Sequence, residues 1–205
     1  MTSTDDTPVP DYANMLRLDG RRIVVLGAGQ GIGRQTSHAL AANGARILCV
    51  DVDEGLANEI AEETGGIAWS GDATDRASME RLFADAEQQL GGVDGVVDII
   101  GISRYHDLVD ASDEEWDFHF DMCLRHAFLA MQYGGAALKR AGGGTLTFIA
   151  SVSGLTGAPR HSIYGAAKAG LMALVRSAAL ELGPDDIRTN AVAPGVVWTP
   201  RVSGY

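Results

Sequence analysis

Short apolar runs alternate along the chain with longer segments in which apolar residues recur every three or four positions. The short runs Arg22–Leu26, Arg46–Val50, Gly66–Trp69, Gly95–Ile100, Thr145–Ile149 and Arg188–Val192 read as strands. Their nearly unbroken Val and Ile content suits strands covered on both faces, as in a parallel sheet. The segments between them have helical period. After Ser112, a stripe of Trp116, Phe120, Leu124, Ala127, Phe128 and Met131 predicts a helix over 112–140, with Ser112 and Glu115 as a capping box. This stripe is read as core or as subunit interface. A second long helix is expected over 162–182, with Leu171, Leu174, Val175, Ala178, Ala179 and Leu182 inside and a stop at Gly183-Pro184. Strand and helix alternating from end to end predict a doubly wound α/β domain with helices on both faces of a parallel sheet.

Composition narrows the setting. A length of 205 residues predicts one domain, here 15–205, preceded by a disordered tail over 1–14. A net charge of −11 with no basic cluster argues against nucleic acid as a partner. The N-terminus lacks a basic, apolar leader, and no apolar run approaches spanning length, so neither a membrane nor export is expected. Cys49 and Cys123 lie in apolar runs without a C-x-x-C pair, which suits a reducing, cytoplasmic setting and implies neither disulfide nor zinc.

The chemistry gathers at strand ends. Leu26-Gly-Ala-Gly-Gln-Gly-Ile-Gly-Arg34 follows the first strand and opens a helix, the context in which glycines admit a dinucleotide pyrophosphate to a helix N-terminus. The G-x-G-x-x-G spacing fails, because position 32 is Ile; Gly27, Gly31 and Gly33 carry the pattern instead. Asp51, eighteen residues after Gly33, ends the second strand where a carboxylate can bind the adenosine ribose hydroxyls. Its charge would repel a 2′-phosphate, and Gln30, Val52 and Asp53 supply no cation, so NAD is favoured over NADP. Asp72 and Ala73 are weaker candidates for the adenine pocket. Gly27, Asp51, Asp72, Gly101, Ser151 and Pro194 all fall at or just past the carboxyl ends of predicted strands, the edge where open α/β sheets bind ligands.

Tyr164 and Lys168 stand four residues apart, so on a helix they share a face, and Ser151 precedes the tyrosine by thirteen. A neighbouring ammonium favours the ionised phenol, which would fit Tyr164 to move a proton.

From about Leu18 to Thr199 the chain resembles the short-chain dehydrogenase/reductase family, in its glycine loop, in Ser151, Tyr164 and Lys168, and in Pro194-Gly195-x-x-x-Thr199. The resemblance implies a sheet of order 3-2-1-4-5-6 and hydride transfer between a nicotinamide and a secondary alcohol or ketone. It makes Tyr164 the general acid/base, Lys168 the group that lowers its pKa and holds the nicotinamide ribose, and Ser151 a donor to the substrate oxygen. The cofactor would rest on Gly27, Gln30, Gly31, Ile32, Gly33, Asp51, Asp72, Ala73, Ile100, Gly101, Tyr164, Lys168, Pro194, Gly195, Val197 and Thr199.

Three departures stand out. Asp98-Ile-Ile-Gly101 replaces the family's N-N-A-G, which predicts loss of the asparagine hydrogen bonds that brace this turn. Cys123 stands where a relay asparagine is usual. The chain stops at Tyr205, before the family's substrate lid and seventh strand, so it is either a fragment or unusually open at the pocket. These departures keep a second reading alive, an NAD-binding sensor or structural relative with weak or no turnover.

Ser103, Ser153 and His161 are substrate-pocket candidates, with Arg104, Tyr105 and Trp198 nearby. His119 and His126 read as surface or interface residues; no metal is expected, for want of an i, i+4 partner. Homo-oligomers through the helices 112–140 and 162–182 are a further implication of the resemblance.

Overall fold

The computed structural model describes residues 9–12 and 14–200. Six parallel strands form one sheet: β1 (Arg22–Leu26), β2 (Arg46–Asp51), β3 (Ile67–Ser70), β4 (Gly95–Asp98), β5 (Gly144–Ile149) and β6 (Ile187–Val192). Their order is β3-β2-β1-β4-β5-β6, as the resemblance implies. The winding reverses between β1 and β4, and this switch point opens the crevice in which such sheets bind ligands.

Helices α1 (Gly31–Ala42), α2 (Glu54–Thr64), α3 (Arg76–Leu90) and α7 (Ser162–Leu182) fill the expected places. The expected helix 112–140 is one rod of three α-helical stretches, α4 (Asp113–Phe120), α5 (His126–Leu129) and α6 (Gly135–Ala141), joined by π turns at Asp121–Arg125 and Ala130–Gly134. Ser112 Oγ accepts from the Glu115 amide at 3.3 Å, so the expected cap is present. The buried face, however, is rotated from the predicted stripe. His119, Cys123, His126, Ala127 and Ala130 are buried, while Trp116 and Phe128 are about half exposed. The offset is already present in α4, where His119 is buried and Trp116 half exposed, and each π turn then shifts the succeeding residues around the axis.

Val24, Leu26, Leu48, Val50, Val96, Leu146 and Phe148 of the central strands form the main core with α3, the α4–α6 rod and α7. Ile23, Val25, Ile47 and Cys49 point to the opposite face, under α2. The strands are thus apolar on both sides, as their sequences require. At the edge away from the site, Arg22 clamps Asp94 through Nε and a terminal nitrogen at 2.8 and 2.7 Å, tying β1 to the start of β4. Of the expected tail, residues 1–8 and 13 lie outside the described residues; 9–12 and 14 are exposed, with Asn14 Nδ2 donating to Asp11 Oδ2 at 2.6 Å. Among the described residues no helix is long and apolar enough to cross a membrane.

Candidate functional site

One cavity of about 580 Å³ runs along the carboxyl ends of the strands. All but one of the expected site residues line it, from Gln30, Asp51 and Asp72 at one end to Ser103, Ser153 and His161 at the other. The exception is Gly33. A Cβ there would lie 1.8 Å from the Gly27 carbonyl oxygen, so its missing side chain lets α1 press against the turn. Gly33 packs the loop and does not touch the cavity.

The glycine turn is built around left-handed backbone at Gly27 (φ 76°) and Gly31 (φ 57°). Gly29, outside the expected pattern, has a role of its own. Its amide donates to Asp51 Oδ2 at 3.0 Å, and a Cβ would stand 2.8 Å from that oxygen. The Asp51 carboxylate is therefore docked on the turn, with Oδ1 accepting from the Asp53 amide at 3.2 Å. Helices α2, α3 and α4 each carry a side-chain cap from Asp53, Asp75 or Ser112; α1 has none, and no acidic residue in its first turn. Its first amides face the cavity with their dipole uncompensated, which fits an anionic ligand. A pyrophosphate at α1 and a ribose at Asp51 match this cradle.

The catalytic candidates meet at the other end. Ser151 follows β5, and its Oγ accepts from the Ser153 amide at 3.1 Å. Tyr164 sits on the first turn of α7, with the Ser151 hydroxyl close enough to its phenol to act on its titration. Burial raises the Tyr164 phenol above the ordinary 10.0, against the opposing pull of Ser151. The expectation that Lys168 lowers this value is not met in this structure. Lys168 Nζ, 6.0 Å from the Tyr164 ring centre, instead donates to the Ile149 carbonyl at 2.7 Å. Burial holds its ammonium below the usual lysine range, opposed by Cys123 and Asp98. Gly101 makes room for it, since a Cβ there would lie 2.9 Å from Nζ.

The turn after β4 keeps a brace that the sequence did not reveal. Asp98 Oδ1 accepts from the Ile100 amide at 3.1 Å, and Oδ2 from His126 Nδ1 at 2.8 Å, both side chains being buried. This is also why β4 ends at Asp98, short of the expected Ile100. His126 lies twenty-eight residues downstream, and no local pattern links the two. Cys123, buried in the first π turn, donates through Sγ to the Ile102 carbonyl at 3.4 Å, and burial raises its thiol.

Three expectations are corrected. His119 and His126 are buried, not surface residues. His119 does have an i, i+4 carboxylate, Glu115, and His106 joins them with ligand atoms within 4.8 Å. Both His119 nitrogens are already engaged, Nδ1 donating to the Glu115 carbonyl at 2.7 Å and Nε2 accepting from the Arg104 amide at 3.0 Å. Trp198 and Arg104 lie outside the main cavity. Trp198 is largely exposed beside α1, and Arg104 stacks on Phe118 and pairs with Glu115. Tyr105, by contrast, lines the cavity beside His161, their ring centres 4.4 Å apart.

A family model described as enoyl-(acyl carrier protein) reductase matches residues 27–205. A short-chain dehydrogenase/reductase from Hericium erinaceus is 40% identical over 191 residues, covering 88% of this chain and 76% of the relative. Levodione reductase from Leifsonia aquatica is 34% identical over 194 residues, covering 91% and 73%. Among solved structures, 7α-hydroxysteroid dehydrogenase complexed with NADH and 7-oxo glycochenodeoxycholic acid superposes with a TM-score of 0.88 at 28% identity, over 94% of this chain and 77% of that one. The chain thus spans about three quarters of the length of these relatives. With its sheet order, glycine turn and strand-end cavity, it belongs to the short-chain dehydrogenase/reductase family of oxidoreductases.

Proposed function

We propose that the protein is an NAD-dependent dehydrogenase/reductase acting on a secondary alcohol or its ketone, with Tyr164 as general acid/base assisted by Ser151 and Lys168. The observation that carries this reading is the convergence of Ser151, Tyr164 and Lys168 on the same cavity as the glycine turn and Asp51.

The bound nicotinamide supplies a hydride donor or acceptor. The rest of the work falls to the chain. Tyr164, protonated at neutral pH, gives its phenolic proton to the substrate oxygen in reduction and takes one back in oxidation. Ser151, whose Oγ accepts from the Ser153 amide, can turn its hydroxyl hydrogen from the Tyr164 phenol to the same oxygen. Lys168, held under the site by the Ile149 carbonyl, keeps its remaining ammonium hydrogens for a ribose hydroxyl of the cofactor. Asp51 selects against a 2′-phosphate. Its docking on Gly29 fixes the carboxylate where that repulsion acts.

The half-exposed Trp116 and Phe128 on the α4–α6 rod support association of like chains through this surface. A small-molecule substrate and a cytoplasmic site of action complete the reading.

A second reading, cofactor binding without turnover, draws on Cys123, whose thiol is spent on the Ile102 carbonyl. Titrating the protein into NADH and following nicotinamide fluorescence tests cofactor binding, and absence of binding to either nicotinamide cofactor rejects both readings. A screen of alcohols and ketones then separates them. For a working enzyme, Cys123→Asn is expected to turn over as fast as the parent or faster; no turnover from either form favours the sensor.

A further inference from the structure

Three polar side chains from three separate loops meet on the substrate side of Tyr164. Ser103 follows β4, Ser153 lies in the turn after β5, and His161 immediately precedes α7. His161 bridges the two serines. Its Nε2 is 3.2 Å from Ser103 Oγ and its Nδ1 is 3.3 Å from Ser153 Oγ. All three line the cavity, and the His161 ring centre is 5.4 Å from that of Tyr164. The Tyr105 ring lies against the imidazole at a tilt, their centres 4.4 Å apart.

The bridge has a definite hydrogen-bond balance. Burial, with His119 and His106 nearby, holds His161 below the usual histidine range, so the ring is neutral and offers one donor and one acceptor. One serine must therefore donate to it, and the other must accept from it. The accepting serine keeps its hydroxyl hydrogen, and the donating serine keeps its lone pairs. The row thus presents both a donor and acceptors to the cavity, close to where the reacting oxygen would meet Ser151 and Tyr164. A hydrocarbon substituent in this place would cover the remaining hydrogen-bonding capacity of both serine hydroxyls without replacing their bonds to water.

The backbone is also specialised here. Arg160, a non-glycine residue, takes left-handed φ of 63° directly before His161. Its carbonyl accepts from the His106 amide at 3.3 Å, and the His161 amide bonds the Ala158 carbonyl at 3.2 Å. Such strain concentrates where a side chain must be held in place.

We propose that Ser103, His161 and Ser153 form a hydroxyl-recognition subsite, and that the substrate is a polyhydroxylated secondary alcohol, or the matching hydroxyketone, with its second oxygen next to the reacting carbon or one carbon beyond. This inference rests on the oxidoreductase reading above and adds the substrate class to it. His161 is a specificity-determining residue here, and the proton transfer stays with Tyr164.

The test compares 2,3-butanediol with 2-butanol, which differ by one hydroxyl, using NAD and the full chain. The expected result is a kcat/KM at least tenfold higher for the diol. In His161→Phe the ratio falls toward one, and in His161→Gln, which keeps a donor and an acceptor, most of it returns. NADH affinity and thermal stability of each variant, measured alongside, separate loss of recognition from loss of fold. Equal kcat/KM for both alcohols in the parent, or a ratio untouched by His161→Phe, overturns the subsite and leaves the catalytic assignment standing. A chain that binds no nicotinamide cofactor, or binds it and oxidises neither alcohol, overturns the catalytic reading and the subsite together.

Discussion

Lys168 Nζ donates to the Ile149 carbonyl oxygen at 2.7 Å, so the buried ammonium beneath the site is anchored to the last residue of β5 rather than to Tyr164. This anchor links the strand that delivers Ser151 to the helix that delivers Tyr164. It also has a thermodynamic cost, since a buried cation is poorly solvated. The folded protein holds this proton less tightly than the unfolded chain, whose lysine titrates near 10.5. The stability contributed by this group therefore rises as pH climbs from the depressed folded value toward 10.5. Lys168→Met is expected to gain about 1–2 kcal/mol at neutral pH, to lose that part of the pH slope and to lose turnover. Denaturant unfolding across pH, beside activity, checks all three.

Much of this architecture is legible in the sequence, because its signals are local. Continuous Val and Ile runs mark the strands, and the sheet edge emerges from Gly27, Asp51, Ser151 and Pro194 standing at strand ends. Spacing alone picks out Gly33, but its role is set by a contact made only in the fold, the Gly27 carbonyl standing where its Cβ would be. Gly29 escapes a reading by spacing because its partner, Asp51, is distant in sequence. The Asp98–His126 pair is hidden for the same reason. On the α4–α6 rod the expected stripe holds at Ala127 and Met131 but not at Trp116, because the polar His119, which a hydrophobic pattern passes over, takes the buried position in α4, and a fixed helical period cannot anticipate the two π turns that follow.

Gly33→Ala should be among the most damaging single-methyl changes in the protein. The added Cβ meets the Gly27 carbonyl at 1.8 Å, and neither backbone segment can withdraw without opening the turn. A loss of about 3 kcal/mol is expected, with NADH affinity lost in whatever remains folded. Thermal unfolding and NADH fluorescence report the two effects separately.

Asp51→Asn keeps an oxygen for the Gly29 amide while removing the charge. NADPH affinity should rise about tenfold relative to NADH, which corresponds to ~1.4 kcal/mol. Binding titrations with both cofactors decide the matter; an unchanged ratio would mean that Asp51 does not set the preference.

The pH dependence is set by the raised Tyr164 phenol. Because burial favours the neutral form, the proton needed for ketone reduction is present throughout the neutral range and is lost only as pH rises past the phenol's own value. Oxidation needs the phenolate, so its kcat/KM should climb with pH over the same range. Tyr164→Phe should reduce both directions by about 100-fold or more. Rate profiles measured in each direction test the sign: oxidation that falls on going from neutral to alkaline pH would assign the base elsewhere.

Asp98 is the remaining position where the brace and the catalytic lysine meet. Its carboxylate accepts from the Ile100 amide and from His126 Nδ1, and its charge favours the buried Lys168 ammonium. Asp98→Ala removes all three interactions. It strands the His126 donor in a buried site, where His126 Nε2 already lacks a partner among the described residues. The stranded donor alone costs about 1–3 kcal/mol. Asp98→Asn behaves differently, because one amide oxygen can still accept from His126 or from Ile100, though the charge is gone. The expected order of stability is parent, then Asn, then Ala. NADH affinity should fall in that order, because the turn over 99–101 lines the cavity and depends on the brace. If Asp98→Ala matches the parent in denaturant unfolding, the Asp98–His126 bond contributes nothing net, and contacts such as the Ile99 amide bond to Leu26 at 3.0 Å suffice to hold the turn.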